Sequence, residues 1–226
     1  MNKSKNKLKD LKTVLGLLLT GAVAVSLLSC DSIYDTPEPY VPVPTESFTY
    51  QYVNATAYTD WIYFNLHEKD SVTLDYRQTV VPISWDMAIH RYDVKTNGGA
   101  ALETDYETLE ALQEAVESGD YRQPYESGWV SDVEDSVTVD MSHMMEGYLV
   151  YTASTRNREI GKWLNLDLNT MPPIYTPSNK VYLVRLTDKT VAAVRFTDFM
   201  GPAAKPYYSA KGYISFDYLY PINFKQ

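Results

Sequence analysis

Cysteine is nearly missing from this chain of 226 residues: there is one, Cys30. An internal disulfide framework is excluded, and the fold must rest on its core. Histidine is also scarce, at three (His67, His90 and His143), and the three are scattered. The sequence holds no G-x-S-x-G, no H-E-x-x-H and no glycine-rich phosphate loop. Nothing here supports an enzyme. Lys and Arg number 20 against 29 Asp and Glu, and an acidic chain of this kind is repelled by nucleic-acid phosphates. No internal repeat is visible, and no domain break follows residue 46.

What is present begins with a targeting segment at residues 1–29. Lys3, Lys5, Lys7, Lys9 and Lys12 form a basic leader, and Val14 to Leu28 is an uncharged apolar run. That run is short of the roughly 20 residues a membrane span needs. Leu27-Leu28-Ser29-Cys30 resembles a bacterial lipoprotein signal, which predicts lipidation of Cys30 and attachment to a membrane through that anchor alone. Cleavage there removes five Lys and one Asp. Of 20 basic and 29 acidic side chains, 15 and 28 remain, a formal balance of −13. Residues 30–47 then carry Pro37, Pro39, Pro42 and Pro44 without an apolar period, a stiff tether of polyproline type.

Residues 48–226 read as one domain built mostly of strands. Phe48 to Val53, Trp61 to Leu66 and Val72 to Tyr76 are short aromatic and β-branched runs. Ile83 to Val94 alternates as a single strand, with Ile83, Trp85, Met87 and Ile89 on one face, and runs out in the turn signal Asn97-Gly98-Gly99. Thr104 and Glu107 form a capping box for one helix, with Leu109, Leu112 and Val116 on its apolar face and Gly119 at its end. The acidic trio Asp132, Glu134 and Asp135 reads as a solvated face and not a calcium site. Val181 to Leu186 and Val191 to Phe196 form a hairpin, Phe199 to Lys211 is a long loop, and Tyr213 to Tyr220 closes the fold. About ten strands and one helix predict a mostly β fold of antiparallel sheets with a small helical part.

The unusual chemistry lies between Asp140 and Tyr175, DMSHMMEGYLVYTASTRNREIGKWLNLDLNTMPPIY. Leaving out the initiator, three of six methionines, Met141, Met144 and Met145, fall within five residues, and Met171 precedes Pro172-Pro173. A thioether fills gaps in a core or ligates a soft metal centre. Polar Ser142, His143 and Glu146 flank the cluster, Pro172 pushes Met171 toward extended backbone, and Tyr148, Tyr151 and Tyr175 lie beside both ends. The segment reads as a clamp whose two ends meet around a flat apolar ligand. The competing reading from another class is an aromatic-rich surface lipoprotein that binds glycan or protein without a metal.

Trp85 to Gly99, WDMAIHRYDVKTNGG, is similar to the signature of the HmuY family of haem-binding lipoproteins. Further stretches are similar in the same order: Trp61 to Leu66, Asp140-Met141-Ser142 with Met144-Met145, Met171-Pro172-Pro173 with Tyr175, Val181 to Arg185, Phe196-Thr197-Asp198, and Tyr213 to Pro221. The resemblance implies a hemophore-like protein at the outer membrane or cell surface that serves iron acquisition. It would take haem from host haemoproteins, grip it between two loops, and pass it to a TonB-dependent outer-membrane receptor. The family's best-known member uses two His ligands. This chain departs from that, because no His follows His143. Relatives are thought to use Met pairs, and that pattern falls here on Met144 and Met171, with Met145 the close competitor and His143 a weaker one. Thioether ligation implies preference for ferrous haem. Tyr148, Tyr175, Tyr207 and Tyr208 are the candidates to hold the porphyrin and its propionates.

Overall fold

The computed structural model describes residues 42–170, 172–202 and 211–225. The leader, Cys30, most of the tether, Met171, Tyr207 and Tyr208 lie outside the described residues.

Strands β1 (Glu46–Asn54), β2 (Asp60–Asn65), β3 (Asp70–Asp75), β4 (Met87–His90), β5 (Asp93–Thr96) and β6 (Ala100–Glu103) come first. Helix α1 (Leu109–Ser118) and the short β7 (Val130–Ser131) follow. Two hairpins come next, β8 (Val133–Asp140) with β9 (Val150–Arg156), and β10 (Leu164–Asp167) with β11 (Ile174–Pro177). β12 (Tyr182–Arg185), β13 (Val191–Met200) and β14 (Lys211–Tyr220) close the chain. A six-stranded sheet runs β1-β14-β13-β12-β6-β7, a four-stranded sheet runs β3-β2-β4-β5, and each hairpin is a sheet of two strands. All pairings are antiparallel. The expectation of a mostly β fold with a small helical part therefore holds.

The period of two along the strands sets the layers. Ile62, Phe64, Met87 and Ile89 from the small sheet meet Tyr182, Val184, Val194, Phe196 and Phe216 from the large one in the main core. The alternate residues of the large sheet, Leu183, Val191, Ala193 and Leu219, receive Leu109, Leu112 and Val116 of α1. On the opposite flank Trp61, Tyr63 and Ala88 of the small sheet are covered by Val137 and Val139 of β8. The order is thus helix, large sheet, small sheet, long hairpin. Both sheets are buried on two faces, which is why β12 and β13 read as nearly unbroken apolar runs. Each such side chain contributes about 1.5–3 kcal/mol on burial.

Two local readings are corrected. Ile83 to Val94 is not one strand: it turns back on itself at Arg91 and Tyr92, so that His90 faces Asp93 across a tight hairpin. Arg91 takes a left-handed φ of 55°, which is costly for a residue with a Cβ and a long side chain. Its guanidinium Nη1 donates to Ala55 O and Thr56 O and holds the bend. The strand also starts only at Met87, so Trp85 lies outside its alternation and packs on the outer face of the small sheet, away from Met87 and Ile89. The helix starts at Leu109 with Thr108 as its cap, whose hydroxyl accepts from Ala111 N. The Thr104 hydroxyl is spent instead on Val181 O. Gly119 ends the helix in left-handed geometry, as expected.

Candidate functional site

The two hairpins are consecutive in sequence and rise from one joint, residues 157–163. Asn157 is buried, and its carboxamide is fully used. Nδ2 donates to Val130 O and Asp132 Oδ1, while Oδ1 accepts from Glu159 N and Ile160 N. Ile160 and Trp163 plug the joint into the main core. The Trp163 ring stacks on Phe196 at 4.4 Å, and its Nε1 donates to Tyr92 O at 2.9 Å. The acidic trio of the sequence reading divides here. Asp132 accepts from Thr96 N and Oγ1, and Asp135 accepts from Arg156 at 2.6 Å, while only Glu134 is exposed. Arg156 also bonds Asp93 at 2.7 Å, so it ties the root of the long hairpin to the bend after β4. Two of the three acids are therefore structural fastenings and not a solvated face.

From this joint the arms differ in reach. β8 has 8 residues and β10 has 4, which at about 3.4 Å per residue gives roughly 24 Å and 10 Å. Each tip opens in the same way. Asp140 accepts from Ser142 N at 2.7 Å, and Asp167 accepts from Asn169 N at 2.8 Å. These turns fix where the loop leaves its strand. The Ser142 bonds hold the Asp140 carboxyl below the usual carboxylate range.

The long arm's tip is a single 3-10 turn, Met144–Glu146, closed by Gly147 at φ 90°. A residue with a Cβ is strained there, which explains the glycine. Met144 is 52% exposed and Met145 91%. His143 is engaged locally: its ring stacks on Tyr148 at 4.6 Å, and Nδ1 lies 3.1 Å from Glu146 Oε2. Tyr175, on β11, packs one face on Phe199 at 5.0 Å with Lys211 Nζ 4.5 Å from its centroid. Lys211 Nζ in turn donates to Pro173 O at 3.0 Å, which pins the segment just past the second tip. Tyr175 thus anchors the short arm as well as standing near its tip.

Of twelve large apolar side chains that are exposed among the described residues, eight sit on these two hairpins: Val133, Met144, Met145, Tyr148, Val150, Tyr151, Leu168 and Ile174. Exposed apolar surface concentrated in this way marks a binding surface. Tyr151 and Leu168 were not singled out as ligand contacts from sequence, and the signal was there: Tyr151 is apolar at an outward position of β9, and Leu168 is apolar in the loop just past β10. Among the described residues no three His, Cys, Asp or Glu side chains gather into a metal cage. The soft donors among the described residues are the thioethers of Met144 and Met145 on the long arm, neutral and set beside apolar and aromatic neighbours, which suits a flat apolar macrocycle bearing an iron.

Comparison with known proteins places the chain. The model of the HmuY protein family matches residues 57–218. A solved structure from Bacteroides fragilis, described as a lipoprotein, is 45% identical, covering 79% of this chain and 90% of that one with a TM-score of 0.67. A second, from Bacteroides vulgatus and described as an HmuY-like heme binding protein, is 38% identical, covering 80% and 93% at a TM-score of 0.66. An apo HmuY analog from Tannerella forsythia shares the fold at 22% identity and a TM-score of 0.64, covering 82% of this chain and 100% of that one. No curated protein matches.

Proposed function

The chain belongs to the HmuY family, and from that premise we propose that it is a lipid-anchored haem-binding protein that grips haem between its two hairpin tips. The observation that carries this reading is the pair of arms: they are rooted in one buried joint and apolar outward at their ends, and the long one presents two exposed thioethers, Met144 and Met145. The iron would take one axial sulfur from each arm. On the long arm that donor is Met144, with Met145 on the same turn as its competitor. Successive residues of a 3-10 turn point about 120° apart, so only one of the two can face a given ligand. On the short arm the donor is Met171. Outward apolar residues such as Tyr151 and Leu168 would cover the porphyrin faces, and the stacked pair of Tyr148 and His143 would close one edge.

A neutral sulfur donor favours Fe(II) and raises the reduction potential. Thioethers do not protonate, so acid weakens the grip less than it would with imidazole ligands. Lipidation at Cys30 holds the domain to the outer membrane on the tether of residues 30–47. Cargo taken from host haemoproteins passes to a TonB-dependent receptor. The test is haem added to the full chain in detergent, oxidised and then reduced. The expected result is a Soret shift with a sharp low-spin ferrous spectrum, weaker and less defined when oxidised. Met171→Ala should abolish the ferrous spectrum; its survival unchanged would remove Met171 as a ligand. Met144→Ala and Met145→Ala compared side by side identify the other donor.

A further inference from the structure

A second concavity lies away from the hairpin tips. Near its tip the long arm is packed against the small sheet through Val137 and Val139. Toward its root the two part, leaving a groove of about 740 Å³. That is within the range of small-molecule sites. The sheet side contributes Trp61, Tyr63 and Trp85, the arm side contributes Glu134 and Thr155, and Gln78 and Thr79 border it. None of Met144, Met145, Tyr148 or Tyr175 lines it.

Lys95 of β5 forms part of the wall. Its Nζ lies 3.9 Å from the ring centroid of Trp61, 5.1 Å from Tyr63 and 5.6 Å from Trp85. Among the described residues its one hydrogen bond is a long one, 3.5 Å to Tyr63 Oη. An ammonium carries three donors, so most of its capacity is unspent. The nearby acids are committed elsewhere, Asp132 to Thr96 and Asn157, and Asp135 to Arg156. Burial draws the Lys95 amine down to about 8, with Asp132 opposing the shift. The amine is still mostly charged at neutral pH. A cation kept partly dry, caged by aromatic rings and left without a carboxylate is poised for an anion from outside. The aromatic floor suits the flat face of a ring. Exposed Glu134 on the far wall, and the acidic balance of the whole chain, oppose any polyanion.

We propose that this groove is a second binding site, for a ring-shaped monocarboxylate whose carboxylate pairs with Lys95 while its ring lies on Trp85. Acidic sugars and aromatic acids share that chemistry, and the experiment separates them. The full chain in detergent is titrated by calorimetry with N-acetylneuraminate, glucuronate, 4-hydroxybenzoate and, as a neutral control, glucose. Saturable binding of an acid, with none for glucose, is expected. Response to the sugar acids alone assigns a glycan end, and response to 4-hydroxybenzoate alone assigns an aromatic acid. Lys95→Met keeps the apolar stem over Trp61 and removes the charge. It should lower the acid's affinity about tenfold or more and leave the haem titration unchanged. Quenching of tryptophan fluorescence by the bound acid in the unaltered chain gives a readout that does not depend on the variant. No binding of any acid up to about 10 mM, well beyond the weakest useful affinities, overturns the proposal. So does equal affinity in a folded Lys95→Met. Loss of the haem spectrum in Lys95→Met would also overturn it, by giving the groove to haem.

Discussion

Phe64 and Phe216 are wholly enclosed between the two sheets, whereas Met145 and Leu168, at the ends of the two hairpins, are 91% and 68% exposed. The same kind of side chain is treated in opposite ways by two regions of one chain. In the sandwich the central strands have a partner layer on each face, so apolar residues stabilise the fold by leaving water. In the arms one strand face is used for attachment and the other carries apolar groups that folding leaves wet. That exposed surface costs solubility and gains nothing for the isolated fold, so its reason is found in what binds there. The sandwich is where mutations should read out as stability, and the arms are where they should read out as ligand binding.

The joint between the regions is where that division should break down, and there the largest effect is expected. Trp163→Ala removes a buried ring stacked on Phe196 and should cost about 3–5 kcal/mol of unfolding free energy. Because both arms rise from this joint, haem binding should weaken in the fraction that remains folded. Chemical unfolding and a Soret titration on the same variant measure the two together. A loss under about 1 kcal/mol with haem binding intact would show that the arms are held elsewhere.

Tyr151→Ser should sharpen the contrast, with a smaller effect. Tyr151 is 57% exposed and pairs with Thr138 on the face turned away from the small sheet. Unfolding free energy should stay within about 0.5 kcal/mol of the parent, and haem affinity should fall about tenfold as apolar cover is lost. If stability falls and affinity does not, the residue belongs to the fold.

The sequence was most readable where one signal had one use. Trp61 to Leu66 and Val191 to Phe196 alternate or run apolar because two layers cover them, and strands form there, although β13 runs on through Met200 and β14 starts at Lys211, both inside the stretch read as a long loop. The helix was found, but its start was misplaced by one turn, because Thr104 carries the fuller capping-box signal with Glu107, Thr108 has Ala111 in that place, and only the fold shows that Val181 O has claimed the Thr104 hydroxyl. The bend at Arg91 was invisible: it has no Gly, Asn or Pro, and what holds it, Ala55 O and Thr56 O, comes from more than thirty residues earlier. The methionine cluster was legible because thioethers among polar neighbours are unusual. The groove beside Lys95 was not, since it exists only once the long hairpin folds back over the small sheet. The acidic trio looked solvated for a related reason. Asp132 meets Thr96 only through that fold-back, and Asp135 meets Arg156 only once β8 and β9 pair.

Asp135 gives the finest test of how the arm is attached. The hydrogen bond from Arg156 holds its carboxyl below the ordinary range, with help from Ser136 N and the Arg158 charge. A carboxylate whose folded pKa is depressed stabilises the fold at pH values above its unfolded pKa of about 3.9, and that stability is lost as pH falls through the lower folded value. Asp135→Asn should therefore lower the melting temperature modestly at pH 7, and the gap between variant and parent should close as pH falls below about 4. His143 and the thioether donors are not part of this pair, so the ferrous haem spectrum at pH 7 should survive the substitution. A gap that stays constant from pH 7 to pH 3 would mean that the side chain holds the arm by shape and neutral hydrogen bonds. The ion pair with Arg156 would then be a bystander at the root of the hairpin.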